Sequence, residues 1–263
     1  MTKQYIHTGE CIWCKNKYPT VTFYTAPHII PHSLGANEIG VDVCDDCNHF
    51  FGTASKGTPN TNLVFKEVFN AALYSFSELP NHKRKYSSAY FFYDRETGRV
   101  KLKKVFPIHI ITRQFKRSLY EVFLQKYHKT YPNEKLDKFE AVREFAREGI
   151  GDLHVYYIHN NIVVHSTDLV EDLTLHMTDN LKNEIIDTGY FTFIFAGQIL
   201  FLEVLPKTAS AGGFSNLWKV VKPLILRIDG TERIYELIDI MFFDMFYNRL
   251  AQKSIDANNF LRP

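Results

Sequence analysis

Cysteine placement constrains this chain most. Cys11-x2-Cys14 and Cys44-x2-Cys47 are the only cysteines, so all four lie within the first 47 of 263 residues. A two-residue gap lets a pair of thiolates turn toward one point, and two such turns complete a tetrahedral site for Zn²⁺. A disulfide framework is the alternative, but it suits small secreted chains. The opening MTKQYIHTGECIWC has no apolar run of the signal-peptide kind, and the chain is expected to be cytoplasmic. A redox Cys-x2-Cys accounts for one pair and leaves the other unexplained. The expectation is therefore a structural zinc ion on Cys11, Cys14, Cys44 and Cys47. With every position taken by sulfur, such an ion holds shape and does no chemistry. Residues 1–56 are poor in apolar side chains, so the metal should supply much of their folding energy.

The segment between the pairs decides what this module is for. Thr20 to Thr25 alternates threonine with branched and aromatic residues, which predicts a short strand. Ser33 to Asn37 reads as a loop, and Ile39 to Val43 as a second strand. Asn48, directly after the last cysteine, is placed at the start of a short helix reaching Ala54. The order is strand, loop, strand, helix, pinned by zinc.

The combined pattern Cys-x2-Cys, His28-Ile-Ile-Pro-x-Ser-Leu-Gly35, Cys-x2-Cys-Asn48 resembles the zinc-knuckle HNH endonucleases of the ββα-metal (His-Me finger) superfamily. The motif covers residues 11 to 52, about a fifth of the chain. The resemblance implies hydrolysis of a nucleic-acid phosphodiester, most readily in double-stranded DNA, with one catalytic Mg²⁺ or Mn²⁺. His28 matches the general base, since an imidazole titrates near neutral pH and can take a proton from water. Asn48 matches the motif position that ligates the catalytic ion; its competing role is a helix N-cap. Asn37 is the candidate for the central asparagine, which braces the loop or orients the base. Many relatives carry an acidic ligand just before the base, where this chain has Pro27. His32, Asp42 and His49 are the nearby candidates to replace it. Loss of catalysis with retention of nucleic-acid binding is the runner-up.

Thr53 to Asn62 is rich in Thr, Ser, Gly, Pro and Asn, so residues 57–62 are read as a linker to a second unit, 63–263. There the periodicities predict helices over 63–79, 112–131, 139–148 and 234–250. Hairpins are predicted over 89–106 and 155–164, with strand pairing between 191–194 and 199–205. This mixture indicates an α+β fold: a zinc-stabilised ββα-metal module followed by a larger α+β domain. No window has the roughly 18 consecutive apolar residues of a membrane helix.

The net charge of +2, from 31 Lys and Arg against 29 Asp and Glu, hides an uneven distribution. His82 to Arg117 carries 11 basic and 2 acidic residues, leaving 20 basic and 27 acidic elsewhere. Lys101 and Lys103 share a strand face, while Arg113, Lys116 and Arg117 share a helix side away from Phe115 and Val122. These five are the expected phosphate contacts. The larger unit, with no catalytic motif of its own, is a candidate site for a protein partner or for homo-oligomer contacts that gate the nuclease.

Overall fold

The computed structural model describes residues 3–34, 36–55, 57–76, 85–94, 99–103, 105–159, 181–195, 198–221 and 233–240. Helices and small antiparallel sheets make an α+β fold, with the cysteine cluster in the N-terminal part and the larger body after it. The elements before the second sheet are α1 (Asp45–Gly52), α2 (Thr61–Phe76), β1 (Lys85–Ser87), β2 (Phe91–Asp94), β3 (Arg99–Leu102), α3 (Ile108–Thr130) and α4 (Glu140–Arg143). There follow β4 (Val155–His159), α5 (Leu181–Thr188), β5 (Tyr190–Phe195), β6 (Gln198–Glu203), α6 (Pro206–Thr208), α7 (Phe214–Val221) and β7 (Arg233–Glu236). One sheet has the order β1-β2-β3 and the other β5-β6-β4-β7, every neighbour antiparallel.

The spine is α3, the longest helix described. Ile111, Phe115, Leu119, Val122 and Phe123 recur at helical spacing and are all buried. Many of its polar positions, Gln114, Lys116, Glu121 and Gln125 among them, are buried too, because other elements cover much of the remaining faces. Helix α2 packs along one side, with Phe65 and Phe69 against Phe115 at centroid distances of 6.4 and 5.6 Å. Alternation along β5 turns Phe191, Phe193 and Phe195 inward and leaves Ile194 exposed. Phe195 meets Phe69 edge-on at 4.6 Å, and Phe191 meets Phe123 at 4.9 Å. Each fully buried ring contributes about 1.5–3 kcal/mol. The Tyr120 hydroxyl donates to His154 O at 2.7 Å, tying the spine to the second sheet.

Three expectations are corrected here. The helix predicted over 234–250 begins instead as β7, which pairs with β4, since Ile234 and Tyr235 continue a sheet and not a helix face; residues 241–263 lie outside the described set. Thr20 to Thr25 forms no strand. Its donors go to the Asp45 carboxylate, which accepts from Thr22 Oγ1 at 2.5 Å, Tyr24 N at 3.2 Å and Thr25 N at 2.7 Å. The first residue of α1 thus replaces a strand partner. The strand expected over Ile39 to Val43 is reduced to one bridge, His28 opposite Ile39. The hairpin read over 155–164 has its first half as β4, and residues 160–164 lie outside the described set.

The N-terminal segment is bonded directly to the spine. Asp42, fully buried and with φ at 57°, accepts from His7 N, Thr8 N, Thr8 Oγ1 and Gly9 N, and its Oδ2 lies 2.8 Å from His128 Nε2 on α3. Glu38 pairs with Lys126 at 2.7 Å. Arg143 Nε donates to Ile12 O at 2.6 Å, fixing the first knuckle on α4. Residues 57–62 are held as well. Pro59 is buried and its carbonyl accepts from Gln114 Nε2 at 2.5 Å; Thr61 Oγ1 donates to the buried Glu121 at 2.9 Å. Burial pushes the Glu121 carboxyl up to about 8.

Candidate metal centre and hydrolytic site

The Sγ atoms of Cys11, Cys14, Cys44 and Cys47 all lie within 4.8 Å of one another. Tetrahedral coordination at about 2.3 Å places sulfurs about 3.8 Å apart, and Cys14 Sγ stands 3.8 Å from Cys44 Sγ. Local geometry explains the convergence. The chain turns after the first pair through Lys15, at φ 61°, with Lys15 N donating to Cys11 O at 2.9 Å. Cys44 N donates to Cys11 Sγ at 3.4 Å, and Ile12 N to Asp42 O at 2.9 Å, so the two turns are stitched together.

Protonation follows from this crowding. The hydrogen bond from Cys47, with backbone amides, lowers the Cys11 thiol to about 5. Burial pushes Cys44 up to about 12, and the bond that Cys47 donates to Cys11, followed by burial, raises Cys47 further. Cys11 is thus the sulfur most easily ionised, while Cys44 and Cys47 hold their protons more tightly. The donors suit Zn²⁺ in number, softness and spacing.

The second knuckle runs straight into α1, with Cys44 as its N-cap residue and Asp45 and Asp46 in the first turn, where they oppose the helix dipole. The helix therefore starts three residues before the expected Asn48. Asn48 is an interior helical residue whose N–H donates to Cys44 O at 2.9 Å. Its side chain is thus not a cap. Asn48 Nδ2 donates to Thr25 Oγ1 at 3.1 Å, so the amide nitrogen faces Thr25; the carbonyl oxygen Oδ1 is the side-chain atom of the kind that ligates hard cations.

Thr25 leads into Pro27 and His28. Around His28 the chain forms a short antiparallel hairpin: Gly40 N donates to Pro27 O at 2.7 Å and Ile29 N to Glu38 O at 3.1 Å. Ile29 and Ile30 are buried and anchor this segment, while the His28 ring is half-buried. A methyl on Gly40 would meet Gln125 Oε1 of α3 at 3.0 Å, so glycine lets the hairpin lie close against the spine. The loop holds the 3-10 turn His32–Leu34, and His32 and His28 are in edge-on ring contact at 5.6 Å. Asn37 is exposed in the same loop, between that turn and Ile39.

The structure thus joins Asn48 to the Thr25–His28 segment and His28 to His32. Of the substitutes for the acidic ligand missing at Pro27, Asp42 is corrected. It is buried, and its oxygens are taken by His7, Thr8, Gly9 and His128; these bonds, against the opposing effect of burial, hold its carboxyl far below the usual range. His49 stands on the exposed side of α1, with its Nε2 3.2 Å from Thr53 Oγ1.

The basic cluster also differs from the open phosphate-tracking face expected. Arg117 donates to Ala146 O at 3.0 Å and Arg147 O at 2.7 Å, and Arg113 to Gly149 O and Gly151 O at 2.7 Å each. These carbonyls end α4 and the π turn Glu144–Glu148 that continues it, where Gly149 takes the left-handed conformation at φ 70°. Lys116 is buried and pairs with Asp152 at 3.0 Å. Lys103 Nζ donates to Ser88 O and lies 4.5 Å over the Phe92 ring. Lys101 lies in β3, and its side chain is outside the described set. Arg113, Lys116 and Arg117 thus use their charge within the fold. Missed from the sequence were Thr25, which orients Asn48, and the Asp42–His128 pair; neither spacing nor composition signals them.

Residues 11–58 match the description HNH endonuclease. The match covers about a fifth of the chain and makes this N-terminal segment similar to HNH endonucleases. The match encloses both knuckles, His28, Asn37 and Asn48, and it supports nuclease activity for the chain. No curated protein and no solved structure matches the chain at a significant level. Among the described residues, no helix is long and apolar enough to cross a membrane.

Proposed function

We propose that the chain is an endonuclease that hydrolyses phosphodiester bonds in double-stranded DNA, with His28 as general base. The observation that carries this reading is the HNH segment, in which the Thr25–Asn48 bond fixes Asn48 on α1 beside the hairpin that carries His28. His28 takes the proton of the attacking water. Asn48 Oδ1, and His32 beside His28, are the groups that would hold a catalytic Mg²⁺ or Mn²⁺. When bound, that ion supplies charge stabilisation at the leaving oxygen. Asn37 steadies the loop between His28 and Ile39. Zinc on the four cysteines fixes the start of α1 and so the position of Asn48.

Residues 63–263 serve this module as its support and as a surface for nucleic acid, a protein partner or a second copy. Lys101, from the basic hairpin, is its phosphate contact. Pro27 favours one second reading, a catalytically impaired nucleic-acid-binding protein. Plasmid incubated with Mg²⁺ or Mn²⁺ separates them. Nicking that chelation abolishes supports the nuclease; binding without cleavage under either metal supports the impaired form.

A further inference from the structure

We infer that a pocket beside α1 seats one unstacked base of the substrate, within a few nucleotides of the cut, with Phe50 as its stacking platform. The inference rests on the nuclease reading above and goes beyond it by assigning a nucleotide subsite.

The helix is buried through Cys47 and Phe51, leaving its crest at His49 and its flanks at Asn48 and Phe50. Asn48 belongs to the hydrolytic side. Across the crest, a cavity of about 390 Å³ is lined by Asp46, His49, Phe50, Thr53, Asn60 and Gln114, among others. Its volume falls within the range of small-molecule sites, roughly 300–1,000 Å³. A strand lying over an α-helix, about 10–12 Å across with its side chains, therefore reaches the cavity from Asn48 within a few nucleotides.

Phe50 is the feature that calls for an occupant. It remains 43% exposed although its neighbour Phe51 is buried. The ring is nonetheless fixed, by an edge-on contact with Phe51 at 5.4 Å and by the Arg147 guanidinium 5.4 Å from its centre. An exposed aromatic ring held in place suits stacking with a base, which every base can supply because each has a π-face. Asp46 lines the same pocket with a carboxylate that can accept from a base edge, while Thr53 Oγ1 is bound to His49 and the Gln114 amide to Pro59 O and Arg117 Nη1.

The test uses the full chain and DNA duplexes whose cut site has first been mapped with wild type. A single abasic position is stepped through the nucleotides around the cut, and binding is measured with the His28→Ala protein. The expected result is one position where base removal weakens binding about 5- to 150-fold, the range of a lost base–aromatic stack. That sensitivity should vanish when Phe50→Ala is added and persist with Phe50→Trp. Zinc content and circular dichroism confirm that each variant is folded. A flat abasic profile, or one unchanged by Phe50→Ala, overturns the subsite while cleavage by wild type keeps the nuclease reading intact. Wild type that neither binds nor cuts any duplex overturns both.

Discussion

Asp42→Asn tests how the HNH segment is attached to its support. Five donors converge on this carboxylate: His7 N, Thr8 N, Thr8 Oγ1, Gly9 N and His128 Nε2, the last at 2.8 Å. The substitution keeps the shape, removes the charge and turns one acceptor into a donor facing other donors. Hydrogen bonds to charged groups contribute about 1 kcal/mol more than neutral ones. Summed over this buried site, the loss should fall near the roughly 3–5 kcal/mol seen when a buried charge loses its counterpart. For a chain of about this size each kcal/mol shifts Tm by about 2–4 °C, so thermal unfolding should drop by about 6–20 °C. The pH dependence has a definite sign. The folded carboxyl titrates below its ordinary value, so its stabilisation is complete above about pH 4 and is lost as pH falls further. The variant should therefore approach wild type only in acid. A Tm change under 2 °C at pH 7, or a gap that does not close in acid, would refute the assignment.

Three further outcomes follow. Metal analysis should find about one zinc per chain, and Cys47→Ser or prolonged chelation should lower zinc content and unfold the N-terminal segment together; full helicity by circular dichroism after zinc loss contradicts this. Arg117→Ala should cost about 1–3 kcal/mol of stability and so lower Tm, because two helix-end carbonyls lose their donor, yet leave the salt dependence of DNA binding unchanged. Lys101→Ala should do the reverse, reducing the salt slope by about one with little change in Tm; a salt slope that responds to Arg117 and ignores Lys101 would invert the assignment.

What the sequence revealed depended on how local the cause was. Zinc ligation is set by two-residue gaps, so Cys11, Cys14, Cys44 and Cys47 were readable without a fold. The same holds for α3, whose apolar spacing persists for several turns, and for β5 with β6, which are close neighbours in sequence. Asp42 was unreadable because its partners lie 33 to 35 residues upstream and 86 downstream. Arg113 and Arg117 look alike in sequence whether they face water or close a helix end some 30 residues later. Thr20 to Thr25 had the composition of a strand, but its backbone bonds go singly to Lys17, Tyr5 and Asp45, and the Asp45 carboxylate takes the donors a strand partner would. Tertiary context overrode local propensity there, as it did at Ile234.

The central claim is that His28 is the base of a metal-dependent hydrolysis. Its most direct test is the single-turnover nicking rate of one plasmid, with saturating Mg²⁺, for wild type and His28→Ala. General-base catalysis is worth about 10²–10⁴-fold, so the variant should nick at least about 100-fold more slowly while retaining its zinc. A variant that nicks within a few-fold of wild type would contradict the account.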